Sequence, residues 1–102
     1  MSEIAFLFDG LQPDMVRKDI IITNKLGIHA RPAALLVKAA ARFSSSITLI
    51  KNGQAVNGKS IMSVMALAAE PDSEITIQTE GADEQEALDE LVRLFENRFE
   101  ED

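Results

Sequence analysis

The sequence predicts an α+β fold, a two-layer sandwich in which one four-stranded sheet carries three helices on a single face. Three observations point there. Short β-branched or alternating runs are interleaved with longer stretches that carry a helical apolar stripe. Their order along the chain is strand, helix, strand, strand, helix, strand, helix. A sheet of that size needs at least one face covered, and the helical stripes supply the cover. A chain of 102 residues with 46% apolar content suits a single domain with one modest core.

The elements follow in order. "KDIIITN" (18–24) is a β-branched run and reads as a strand. After a break at Gly27, "ARPAALLVKAAARF" (30–43) carries a wide apolar stripe, and Pro32 is tolerated because it falls in the first helical turn. "SITLI" (46–50) alternates, "NG" (52–53) is a strong tight-turn signal, and "QAVN" (54–57) returns, so a hairpin is expected. "SIMSVMALAA" (60–69) is a short helix with Ser60 as N-cap, stopped before Pro71. "SEITIQTE" (73–80) alternates as a strand with one buried face. "DEQEALDELVRLFENRF" (83–99) opens with a capping box, Asp83 and Glu86, and places Leu88, Leu91, Val92, Phe95 and Phe99 on one helix face. Residues 1–17 stand outside this order as an N-terminal extension bearing Ile4, Phe6, Leu7 and Phe8. It reads as a disordered lead, an extra strand or a cover for the open sheet face. Residues 18–102 form the domain.

Charge and composition exclude several classes of function. The net charge of −7 conceals an asymmetry, with seven Lys and Arg against one Asp over residues 18–69 and two against thirteen acids over 70–102. An acidic helix in the same small domain argues against nucleic-acid binding, and a basic patch for an acidic protein partner fits better. The chain has no cysteine, so thiolate metal sites and thiol nucleophiles are excluded. No run reaches the roughly 18 apolar residues of a membrane span, and no basic segment precedes the apolar N-terminal run, so an unexported, cytoplasmic protein is expected.

The chemistry gathers at "GIHARPAA" (27–34), which holds the only histidine of the chain. His29 falls at the N-cap region, where the amides of residues 30 to 33, less Pro32, and the positive end of the helix dipole favour an anion. The same field disfavours imidazolium, which keeps His29 neutral and nucleophilic. Arg31 adds a planar fork suited to phosphate oxygens. Together they form a site for a transient phosphohistidine. The plain alternative is an imidazole that only caps the helix beside a solvated Arg31, and composition by itself favours it. One histidine without a partnering carboxylate in its motif argues against a true catalyst.

"LGIHARPAA" (26–34) together with "GKSIMSVMAL" (58–67) resembles the HPr family of phosphocarriers of the bacterial phosphoenolpyruvate-dependent phosphotransferase system, over roughly residues 18 to 99. The resemblance implies an open-faced β-sandwich with an antiparallel sheet. It implies that His29 takes a phosphoryl group on Nδ1 from phosphorylated enzyme I and passes it to a histidine of an enzyme IIA-type acceptor, with Arg31 stabilising the phosphate charge. Ser60 matches a serine that an ATP-dependent HPr kinase/phosphorylase modifies in family members. A phosphate there suits the helix N-terminus but repels an acidic partner; the plain alternative for Ser60 is an N-cap and nothing more. Partner contacts are implied at Ala30, Ala34 and Lys38 and at Ile61, Met62 and Met65, although a methionine stripe at helical spacing is more often core than docking surface. The family implies a monomer without cofactor or metal.

Some features depart from the sugar-transport form of the family. Leu26 stands where many such carriers have a small polar residue, and "ITNKLGIHARPA" (22–33) and the acidic end "FENRFEED" (95–102) are similar to the nitrogen-related branch, NPr. "KSIMSVMAL" (59–67) is similar to carriers of kinase-regulated systems. Ala68 and Asp72 replace glycines common in the loop after the second helix, which leaves that loop's geometry open. Three functions therefore stand side by side: a stoichiometric phosphoryl carrier, a regulatory protein that docks according to its phosphorylation state, and an unrelated structural module with His29 as an ordinary cap.

Overall fold

The alternation in the strands sets the architecture. In the computed structural model, which describes residues 15–100, Ile47 and Leu49 of β2 (Ser46–Lys51) and Ile75, Ile77 and Thr79 of β4 (Glu74–Glu80) are buried while their neighbours are more exposed. Leu49 lies opposite Ile77 and Ile47 opposite Thr79, so the two central strands stack their apolar side chains on one face. β1 (Met15–Ile21) pairs with the other edge of β4, and β3 (Gln54–Asn57) with the other edge of β2. The sheet is antiparallel throughout, in the order β1-β4-β2-β3.

Three helices cover the apolar face: α1 (Ala30–Ala40), α2 (Ile61–Ala66) and α3 (Glu84–Glu96). α1 presents Ala33, Leu36, Ala39 and Ala40 inward, α2 presents Val64, and α3 presents Ala87, Leu88, Leu91, Val92 and Phe95. These residues join Ile22, Ile28 and Leu67 in one core. The open-faced, one-sided α+β layering expected from the sequence is the observed fold.

Individual boundaries differ for physical reasons. β1 begins at Met15, three residues before the expected strand and inside the stretch assigned to the extension. Its pairing with β4 runs from Met15 opposite Glu80 to Ile21 opposite Glu74, after which Ile22 turns to exchange backbone hydrogen bonds with residues 72 and 73. The rest of the extension, residues 1–14, lies outside the described residues. α1 stops at Ala40 because Arg42 and Phe43 donate three residues back, to Ala39 and Ala40, and tighten the end. The "NG" hairpin forms as expected, with Asn52 and Gly53 at φ of 51° and 81°, the left-handed pair that matches strand twist.

The expected capping box at α3 does not form. Asp83 makes no side-chain bond to its own helix; its carboxylate accepts from the amides of Ser44 and Ser45, each at 2.9 Å, and from the Ser45 hydroxyl. Glu84, rather than Glu86, reaches back, accepting from the Gly81 amide at 3.0 Å. Phe99 also leaves the expected helix face. α3 ends at Glu96, and Arg98, Phe99 and Glu100 follow at φ of 52°, 54° and 62°, a left-handed turn that costs roughly 1–2 kcal/mol per non-glycine residue. The Phe99 ring is nevertheless fully buried, edge-on to Phe95 at 4.7 Å between centroids.

Candidate functional site

The segment before α1 is held by backbone. Gly27 sits at φ 70°, and a Cβ there would lie 2.3 Å from the carbonyl oxygen of Ala69. Only glycine allows this approach, which lets the Ile28 amide donate to that carbonyl at 2.9 Å. The buried Asn24 side chain donates to the Gly27 carbonyl at 2.7 Å, and the His29 amide donates to the same oxygen at 3.1 Å. The loop carrying His29 is thereby fixed to the loop after α2.

His29 occupies the N-cap of α1 with extended backbone, and its carbonyl accepts from Ala33 at 2.8 Å. Its side chain makes no capping bond, so the imidazole is not the helix cap that the plain alternative requires. The Ala33 amide is used in closing the first turn, and Pro32 has none, so fewer amides face the helix mouth than the sequence suggested. No acidic residue lies in the first turn. Within the half-buried imidazole, Nε2 is buried. Arg31 is exposed, and its Nη1 donates to the Phe99 carbonyl at 3.2 Å.

Ser60 caps α2 as expected, its hydroxyl accepting from the Ser63 amide at 3.2 Å. α2 packs against α1, which brings the serine motif and the histidine motif to one region. Ala30, Ala34 and Lys38 are exposed along α1 at a spacing of four residues. Ile61, Met62 and Met65 are exposed as well, with Met62 the most open at 77%; the methionine stripe is surface, and Val64 and Leu67 supply the core in its place. Leu26, directly before Gly27, is 70% exposed as well. Ala68 and Asp72 take φ of 52° and 70°, so the loop keeps a glycine-like path with side chains that strain it.

Sequence reasoning passed over Asn24 and Phe99. An asparagine directly after a β-branched run is a turn-forming signal that could have identified Asn24. Nothing local marks Phe99, whose carbonyl meets a side chain 68 positions away. Among the described residues no group of three or more His, Asp or Glu is placed to hold a metal ion, and no helix is long and apolar enough to cross a membrane.

Comparison with known proteins now bears on this geometry. The family model for the PTS HPr component phosphorylation site matches residues 16–97. The chain belongs to the PTS HPr family. Phosphocarrier protein HPr of Treponema pallidum is 52% identical over 88 residues, covering 86% of this chain and all of the relative. HPr-like protein Crh of Halalkalibacterium halodurans is 50% identical over 82 residues, covering 80% of this chain and 98% of the relative. The crystal structure of HPr-C-His from Thermoanaerobacter tengcongensis superposes with a TM-score of 0.83 at 45% identity, over 85% of this chain and 98% of that one. HPr proteins are phosphocarriers of the phosphotransferase system, carriers rather than catalysts.

Proposed function

We propose that this HPr-family protein carries a phosphoryl group on Nδ1 of His29, received in the cytoplasm from phosphorylated enzyme I and handed to a histidine of an enzyme IIA-type protein. The observation that carries the reading is the burial of Nε2 in an imidazole that sits at a helix N-cap without capping it. With Nε2 buried, Nδ1 is the nitrogen proposed to meet an incoming phosphorus. In the transfer, the Nδ1 lone pair forms the new N–P bond as the N–P bond on the donor imidazole breaks. The donor ring keeps that electron pair, and the proton on Nε2 of His29 stays in place. The helix mouth and the Arg31 guanidinium offset the charge of the phosphoryl oxygens. The monomer that the family implies belongs to the same proposal.

Enzyme I, phosphoenolpyruvate and the protein together are expected to give an acid-labile phosphoprotein whose ³¹P spectrum shows an Nδ1 adduct, absent in His29→Ala. An unmodified wild type sinks the reading. Ser60 is the regulatory site in the same proposal. A kinase of the HPr kinase/phosphorylase type with ATP is expected to place an acid-stable phosphate there, lost in Ser60→Ala. Ser60→Asp is then expected to slow loading by enzyme I; loading at the wild-type rate defeats the charge block. Ala30, Ala34, Lys38, Ile61, Met62 and Met65 form the docking surface for these acidic partners.

A second reading, an NPr-like or Crh-like regulator that acts by phosphorylation-dependent docking rather than in sugar transport, draws on the Crh relatives and on the unusually open Met62. Retention of the protein on enzyme IIA-type partners only in one phosphorylation state, with no onward transfer, favours it.

A further inference from the structure

The loop after α2, to which the histidine loop is fixed, is held at both ends. At its far end the Asp72 amide donates to the Ile22 carbonyl at 2.8 Å, and the Ile22 amide donates to the Ser73 carbonyl at 3.0 Å. At its near end Leu67 and Ala69 are both buried, and Ala68 between them is exposed with φ of 52°. That left-handed conformation lets both neighbours reach the core. A Cβ disfavours it, and glycine is the usual residue just past a helix end. Ala68 therefore needs support from outside its own segment to keep this path.

Lys51 supplies the support. Alternation along β2 places Lys51 on the face of the buried Ile47 and Leu49, at the rim of the core. A lysine there lays its apolar stem along the covered side and sends its ammonium outward, and the Lys51 Nζ donates to the Ala68 carbonyl at 2.9 Å. α2 has no basic residue in its last turn, so a strand brings the cation that the negative end of this helix favours. The next carbonyl, that of Ala69, receives the Ile28 amide one residue before His29. Gly27 packs against the same oxygen so closely that no Cβ fits. The histidine loop thus follows wherever residues 68 and 69 are held.

We infer that Lys51 is a positioning residue for phosphoryl transfer: its ammonium holds left-handed Ala68, and through Ala69 and Ile28 this fixes the loop that carries His29. This inference rests on His29 being the carrier.

The test separates support of the loop from contact with a partner. Wild type, Lys51→Met, Lys51→Arg, Ala68→Gly and the Lys51→Met/Ala68→Gly double variant are loaded by enzyme I and phosphoenolpyruvate. ¹⁵N relaxation dispersion is recorded on each free protein. Lys51→Met keeps a stem without the donor. It is expected to slow loading about two- to fourfold and to raise the millisecond exchange contribution at the Ile28 amide at least about twofold, with the Ala87 amide of α3 unmoved. Lys51→Arg restores a cationic donor and is expected to stay within about 1.5-fold of wild type in both readings. In the Ala68→Gly background the left-handed path no longer strains a side chain, and Lys51→Met is expected to alter either reading less than about 1.5-fold. Slower loading with an unmoved Ile28 amide makes Lys51 a contact for enzyme I and overturns the inference. A loosened loop that loads at the wild-type rate overturns it as well, as do equal effects with and without Ala68→Gly; all three leave the carrier reading intact. Failure of wild type to load removes the carrier reading and the transfer role of Lys51 with it, while the Ile28 relaxation still shows whether Lys51 holds the loop.

Discussion

α1 and α3 both follow a turn containing a glycine, yet they treat their first turns in opposite ways. At α3 the dipole is met by Glu84 and Glu86, and Asp83 braces the start of the helix to Ser44 and Ser45. At α1 there is no acid in the first turn, and the N-cap imidazole does not cap. The loop ahead of α1 is held instead by Asn24, Gly27 and the Ala69 carbonyl. α3 is stabilised at its mouth; α1 is stabilised behind it. On the proposed reading, a helix end that receives an anion is recognised by stabilisation displaced to its flank.

Ranked by effect on stability, four substitutions break or sharpen this contrast. Gly27→Ala drives a methyl into the Ala69 carbonyl at a left-handed φ, and is expected to cost about 3 kcal/mol and to abolish loading of His29; a melting temperature within a degree or two of wild type shows that the flank is not what holds α1. Asn24→Ala removes the buried bond to the Gly27 carbonyl for about 1–2 kcal/mol, measured by urea unfolding, and slows phosphorylation although it alters no group at the helix mouth. For α3, the hydrogen bonds from Ser45 and Ser44 lower the Asp83 pKa from 3.8 to about 2. A lowered folded-state value stabilises above the unfolded pKa and is lost as pH falls through the folded one, so wild type loses this contribution between about pH 4 and 2. Melting curves across that range are expected to be flatter for Asp83→Asn, and an unchanged slope removes Asp83 from the account. The smallest change is Ala30→Glu, which gives α1 the acid that α3 has. It is expected to raise stability by about 0.5 kcal/mol while slowing loading by enzyme I about tenfold through repulsion of the phosphate. A variant that gains stability without losing rate would show that an empty first turn has no functional cost to protect.

What could be read from the sequence was whatever neighbours in the chain decide. The alternation of Ile75 and Ile77, the Asn52–Gly53 turn and the Ser60 cap each need only a few adjacent residues, and the structure has them as expected. The place of His29 at a helix start was legible in the same way. Asp83 was misread because a capping box is a local pattern, and two serines almost forty positions away compete for the same carboxylate. The left-handed turn at Phe99 was misread for a related reason: periodicity extends the helix, while burial against Phe95 ends it. Met62 and Met65 pattern as core, and only the shortness of α2 turns them outward, because Val64 and Leu67 already fill the space beneath.

The bond from the Ile28 amide to the Ala69 carbonyl has an analytical use. It is where the histidine loop and the loop after the serine helix are fastened together, so its proton exchanges with deuterium only when the two loops part. One amide resonance, followed in heavy water, reports on the integrity of the histidine and serine motifs at once.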